Sequence, residues 1–143
     1  MVKIAQRLKQ AREQTGKSPA EVATEVGLSH GAYYDLESGH DWFTSVDLKE
    51  VHQIAKAVGL TFAELMSGSG IPDSEQVNPE ELRSLVQGLL NSEQLSVDDF
   101  ENNIGWSVAP FLQNSAASEK WNVDCLRAVC DAAGANWLAF SLS

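Results

Sequence analysis

Three histidines, two cysteines and a scatter of carboxylates are the groups in this chain that could do covalent or acid–base chemistry. His30, His40 and His52 stand apart along the chain, and none has a nearby nucleophile in a triad-like context. No glycine-rich loop of the kind that cradles phosphate occurs. His30 and His40 flank one short helical stretch, but without a cysteine or carboxylate at ligand spacing they make no metal site. Asp98 and Asp99 open a helix, where the dipole favours negative charge, and that structural role is sufficient for them. Cys125 and Cys130 sit five apart in a helical segment, so they point to different faces and do not easily bridge each other. They read as buried thiols, with a redox role as the alternative. Catalytic residues, metals and cofactors are therefore not expected, and the chain does not read as an enzyme.

What remains is the chemistry of charge. Ten Lys and Arg face twenty Asp and Glu, a net charge of -10, so polyanions are not obvious partners. The imbalance is uneven: residues 1–66 carry seven basic and nine acidic side chains, residues 67–143 three and eleven. Lys3, Arg7, Lys9, Arg12 and Lys17 supply half of all the cations, and from Ser18 through Leu48 there is none. Any nucleic-acid contact must come from the first half. No long apolar run occurs, and Met1 to Gln6 start an amphipathic helix without the apolar core of a secretion signal. A soluble, cytoplasmic protein without a membrane partner is expected.

The elements that would position these charges are helical throughout. Apolar residues recur at helical spacing in Ile4, Leu8, Ala11, in Val22, Ala23, Val26, in Tyr33, Leu36, in Val51, Ile54, Ala55, Val58, and in Phe62, Leu65. Ser18, with Pro19 next and Glu21 three residues on, forms a capping box with proline in the first helical position. Gly27 ends that helix, Ser29 caps the next, Gly39 terminates it, Gly59 closes the fourth and Thr61 caps the fifth. The stretch from Ser67 to Ser74 is small, polar and breaker-rich, which marks a linker over 67–78 between a domain at 1–66 and another at 79–143.

Residues 82–140 repeat this punctuation more weakly. Ser96 and Gly105 match Ser18 and Gly27, while Phe100, Ile104, Trp106, Ser107 and Phe111 match Val22, Val26, Leu28, Ser29 and Tyr33. Leu82 and Val86 match Ile4 and Leu8. Leu126, Val129, Cys130, Gly134 and Trp137 take the places of Val51, Ile54, Ala55, Gly59 and Phe62, with three residues fewer between the two glycines. Either this is a diverged tandem copy, or two small helical domains share apolar spacing and glycine stops.

The run from Ser18 to Ser29, then Leu36, Glu37, Ser38, Gly39, and Ile54 to Leu60, resembles the XRE family of lambda-repressor-like regulators over about residues 3–66. The resemblance implies a five-helix domain whose third helix enters the DNA major groove; together with the helical spacing of residues 82–140, the expectation is an all-α chain in which a second small helical domain follows the first. By the same resemblance Ala23 lets the second and third helices touch, and Gly27 needs a positive φ. Arg12 and Glu37 fall where relatives place a salt bridge. Ser29, His30, Gly31, Tyr34 and Asp35 correspond to groove-facing positions, Ser38 to a phosphate contact, and Ala32, Tyr33 and Leu36 to core positions. Lys9 and Lys17 either belong to a solvated helix face or flank the groove and touch phosphate, helped by the positive end of the helix at Ser18.

The sequence also departs from its relatives. Without cations from Ser18 to Leu48, few phosphates are neutralised and binding at physiological salt should be weak. Asp35 could accept from a cytosine amino group or simply repel the backbone. Trp42 and Phe43 suggest burial, against their own domain or a partner. The second half, where Glu101 replaces Ala23 and Asn114 replaces Leu36, should be repelled by DNA and serve self-association or partner binding. The expectation is a DNA-binding transcriptional regulator acting on double-stranded DNA as a homodimer. The rival is a protein-interaction module, antitoxin-like or co-regulator, whose acidic half binds a basic protein.

Overall fold

Short polar side chains set where most of the helices begin, each taking up an amide that the helix cannot satisfy itself. The computed structural model describes residues 3–39 and 41–142. Among these it contains α1 (Ile4–Thr15), α2 (Pro19–Val26), α3 (His30–Glu37), α4 (Leu48–Ala57), α5 (Phe62–Ser67), α6 (Pro79–Glu93), α7 (Val97–Ile104), α8 (Ala109–Gln113) and α9 (Val123–Ala133). Three 3-10 turns, Asp73–Glu75, Ser115–Lys120 and Trp137–Ala139, complete the order, and no strand is present among the described residues. The fold is all-helical, as the periodicity implies. Among the described residues no helix is long and apolar enough to cross a membrane.

The expected caps form. Ser18 accepts from the Glu21 N–H at 3.1 Å while the Glu21 carboxylate accepts from the Ser18 N–H, the reciprocal box that opens α2. Thr61 and Asn78 open α5 and α6 with the same reciprocal box, while Asp47, Ser96 and Asn122 cap α4, α7 and α9 by accepting a single amide each. Gly27 ends α2 with φ 78°, a left-handed conformation that a Cβ would strain.

The apolar stripes that these caps bring into phase meet in one buried cluster that runs through both halves of the chain, from Leu8 to Phe140. The contact between the halves is built of backbone as well as side chains. Leu48 N–H donates to the Trp121 carbonyl at 2.7 Å, Asp124 N–H to the Phe43 carbonyl at 3.1 Å, and Asp47 faces Asn122 in an isolated antiparallel bridge. The connection after α5 carries the turn Asp73–Glu75, and then Val77 pairs with the C-terminal segment through Val77 N–H to Ala139 O (2.8 Å) and Ser141 N–H to Val77 O (2.9 Å).

Aromatic rings fill the seam. The His52 ring stacks on Phe62 at 4.4 Å and meets the edge of Phe140 at 6.1 Å, and Phe62 in turn meets Trp137 at 6.0 Å. Arg127 lies over both Phe43 (5.4 Å) and Trp137 (5.6 Å). Burial lowers the His52 pKa, and the Leu48 and Phe140 carbonyls beside its two nitrogens act in the opposite sense without overcoming it. Cys125 and Cys130 are both buried, and burial pushes both thiols up to about 12. A thiol held protonated is a poor nucleophile and a poor partner for disulfide exchange, which leaves them as packing groups.

Candidate nucleic-acid interface

α3 is two turns long, and the spacing of its apolar residues decides which face is free. Tyr33 (0% exposed) and Leu36 (5%) point inward against α1 and α2, the helices on which α3 packs. Trp42, itself buried, donates its indole N–H to the Leu36 carbonyl at 3.1 Å and so closes the C-terminal end of α3. With those positions turned in, His30, Gly31, Tyr34, Asp35 and Ser38 lie together on the opposite face, all of them exposed. Ser29, also exposed, opens the helix by accepting from the Ala32 N–H at 3.1 Å. Tyr34 is 65% exposed, and the helices on which α3 chiefly packs, α1 and α2, both belong to the first half. One core assignment needs correction: Ala32 is exposed. The buried stripe of so short a helix is one residue wide per turn, and Ala32 lies about 100° from Tyr33 around the helix axis.

α3 is held to α1 by an ion pair at the position the resemblance implies. The Arg12 guanidinium meets the Glu37 carboxylate through Nη2–Oε1 at 2.7 Å and Nε–Oε1 at 3.0 Å, and donates through Nη1 to the Lys17 carbonyl at 2.9 Å. Both side chains are about nine-tenths covered. The bonded carboxylate, more than the cost of burial, keeps Arg12 charged and raises its pKa. The Tyr33 hydroxyl lies buried beside the pair without a hydrogen bond, and burial followed by the Glu37 charge raises its pKa too.

The cations of the N-terminal cluster divide by partner. Arg7 donates through Nε to the Leu65 carbonyl and through Nη2 to the Met66 carbonyl, both at 2.8 Å, tying α1 to the end of α5. Arg12 is committed to Glu37. Lys17 places its ammonium 3.1 Å from the Glu25 carboxylate and 2.9 Å from the Ala57 carbonyl, on the α2–α4 side. Lys9 is exposed on α1 and has no ion pair among the described residues. Thus six of the sequence-predicted positions, Ser29, His30, Gly31, Tyr34, Asp35 and Ser38, are brought to one helix, while Lys9 stands apart and Lys17 is anchored elsewhere. The anchoring roles of Arg7 and Lys17 carry no sequence signal, because their acceptors are backbone carbonyls about forty or more positions away.

Trp42 and Phe43 divide as well: Trp42 packs on its own half, Phe43 on α9 of the other. His40, between them and α3, lies outside the described residues. In the second half, Glu101 of α7 turns its carboxylate onto the start of α8 and accepts from Val108 N–H at 2.5 Å and Ala109 N–H at 3.0 Å. Those two amides hold its pKa below the ordinary carboxylate value. The amide end of α8 is therefore already occupied by an anion from the same chain.

With this geometry in place, comparison with known proteins is informative for the first half alone. Residues 3–67 match a family model described as a helix-turn-helix domain. No curated protein and no solved structure gives a match.

Proposed function

We propose that the helix-turn-helix domain at residues 3–67 makes this chain a DNA-binding transcriptional regulator of the XRE type, acting in the cytoplasm on double-stranded DNA. The observation that supports it most is the open outer face of α3. Ser29, His30, Gly31, Tyr34, Asp35 and Ser38 are exposed on a helix whose inner face is locked by Tyr33, Leu36 and the Arg12–Glu37 pair. On this reading His30, Tyr34 and Asp35 meet base edges, Ser38 and Lys9 meet phosphate, and Gly31 lets the backbone come close. Lys17 joins the phosphate contacts only by leaving Glu25. A second reading helix for an adjoining half-site comes from a second chain.

The thin supply of free cations favours one alternative, an antitoxin-like or co-regulator module that keeps the fold and binds a basic protein through its acidic half. A salt series on random duplex DNA separates the two. Each neutralised phosphate contributes about 0.9 to the slope of log affinity against log salt, so one or two contacts give a slope of roughly -1 to -2. Lys9→Glu should reduce that slope by about one, whereas Lys120→Glu in the second half should leave it unchanged. Absence of binding at low salt would favour the adaptor reading.

A further inference from the structure

The seam between the halves has a regularity that neither half explains alone. Position for position, the two halves use the same devices. Ser18 and Ser96 cap α2 and α7, Asp47 and Asn122 cap α4 and α9, and Thr61 and Asn136 cap α5 and the turn Trp137–Ala139. Gly27 and Gly105 end α2 and α7 with φ 78° and 79°, and Gly59 and Gly134 follow α4 and α9 with φ 79° and 74°. The Leu60 N–H reaches back to the Ala55 carbonyl at 2.8 Å, as Ala135 N–H does to the Cys130 carbonyl at 2.9 Å. Gly16 ends α1 with φ 76°, and its counterpart Gln94 ends α6 with φ 52°, the one non-glycine residue of positive φ among the described residues. A glutamine in that conformation is strained by its own Cβ, so it is the fold that requires the position.

Equivalent positions also touch each other. Asp47 pairs with its own counterpart Asn122, and the Phe62 ring meets its own counterpart Trp137 at 6.0 Å. Around them the same elements meet in exchanged roles, with their backbone bonds at different registers. α4 packs on the turn Ser115–Lys120 and bonds through Leu48 N–H to Trp121 O, while α9 bonds through Asp124 N–H to Phe43 O and lays Arg127 over the Phe43 ring. Segment 115–120 is the counterpart of 40–45. Contact of a residue with its own equivalent, flanked by reciprocal contacts, is the signature of an isologous two-fold interface.

We propose that residues 79–142 are a second copy of the helix-turn-helix unit, docked on the first where a two-fold-related subunit would sit. The chain is an internal pseudo-dimer. The face made by α4, α5 and residues 41–47 is covered by this chain's own second copy and offers no two-fold surface to another molecule. Each chain then carries one open reading helix, α3, and one closed equivalent, α8, whose amide end is held by Glu101. Two chains on adjoining half-sites then meet on the DNA and not in solution. The proposal does not depend on what α3 binds.

The axis gives a test that uses the full chain. In a true homodimer of this geometry residue 47 faces residue 47 of its mate. In the pseudo-dimer it faces residue 122, and the Cα atoms of such a bridge lie about 4.5–5.5 Å apart, within disulfide range. The variant Asp47→Cys with Asn122→Cys, treated with oxidised glutathione, should form an intrachain 47–122 link located by peptide mapping. Asp47→Cys alone should stay unlinked between chains. The unmodified chain should sediment at 15.5 kDa across the micromolar range. A dimer cross-linked through Asp47→Cys, failure of the double variant to link, or a sedimenting dimer would overturn the proposal. The sedimentation measurement stands even where a substituted cap fails to fold.

Discussion

The helix pair α2–α3, the proposed reading unit, and the pair α7–α8 bury large side chains at equivalent positions but part at two others, where Ala23 and Leu36 are buried and Glu101 and Asn114 are not. Tyr33 and Phe111 are both fully buried, as are Val22 and, to within 2%, Phe100. Outside, α3 runs eight residues with an exposed polar and aromatic face, whereas α8 runs five and has its first amides bonded to a carboxylate. The Arg12–Glu37 pair that fixes α3 has an apolar replacement, since Leu90 stands where Arg12 stands and is buried. Packing of the scaffold and exposure of a polar helix face are therefore separable demands on the sequence, and only the first is met in both halves.

The largest effect should come from making the first unit resemble the second. Arg12→Leu leaves Glu37 buried and unpaired, which costs about 3–5 kcal/mol, while Arg12→Leu combined with Glu37→Leu should recover most of it. Denaturant midpoints of the three proteins measure both. If the single substitution costs less than the pair, the ion pair is not what fastens α3 to α1, and the contrast with Leu90 loses its meaning.

Next in size is the capping carboxylate of the second unit. Glu101→Gln keeps an acceptor oxygen but loses the charge, so it should weaken the protection of the Val108 and Ala109 amides against hydrogen exchange while leaving α3 unchanged. The sign of its pH dependence follows from the lowered pKa. The carboxylate stabilises the fold fully above the unfolded carboxylate range, about 4.3, and that contribution is lost as pH falls through the lower folded value. The stability gap between the natural chain and the variant should hold above about pH 5 and close in acid. A gap that is constant down to pH 2 would mean that Glu101 contributes nothing as an anion.

Much of this contrast is legible in the sequence, and the limit is physical. Caps and stops are local: Ser18, Glu21, Gly27, Thr61 and Gly134 act within a turn of themselves, so their spacing alone locates the helices. The outer face of α3 follows from Tyr33 and Leu36, although Ala32 shows that a two-turn helix buries less than a wide stripe. The fate of the cations is not local. Lys9, Arg7 and Lys17 look alike in the sequence, and only the fold brings the carbonyls of Leu65, Met66 and Ala57 to two of them. The seam was within reach, because Phe62 and Trp137 already correspond when the halves are aligned. That equivalent residues also touch is a fact of docking, which no spacing encodes.

The smallest expected effect separates folding from reading most cleanly. Gly31 in α3 and Gly88 in α6 both sit in helices, and a Cβ built on either meets nothing within 4 Å. Neither has a conformation that needs glycine, since neither has a positive φ. Replacing either with alanine removes backbone freedom from the unfolded chain and should raise stability by up to about 1 kcal/mol. Gly31 lies on the open face beside Tyr34 and Asp35, where a methyl group would stand between α3 and a duplex, whereas Gly88 lies on the second unit's longest helix. Gly31→Ala should therefore gain stability and lose duplex affinity, and Gly88→Ala should gain stability alone. Equal duplex affinity in the two variants, measured at low salt, would show that the bare patch at Gly31 is not a contact, and the first unit would then differ from the second in exposure but not in use.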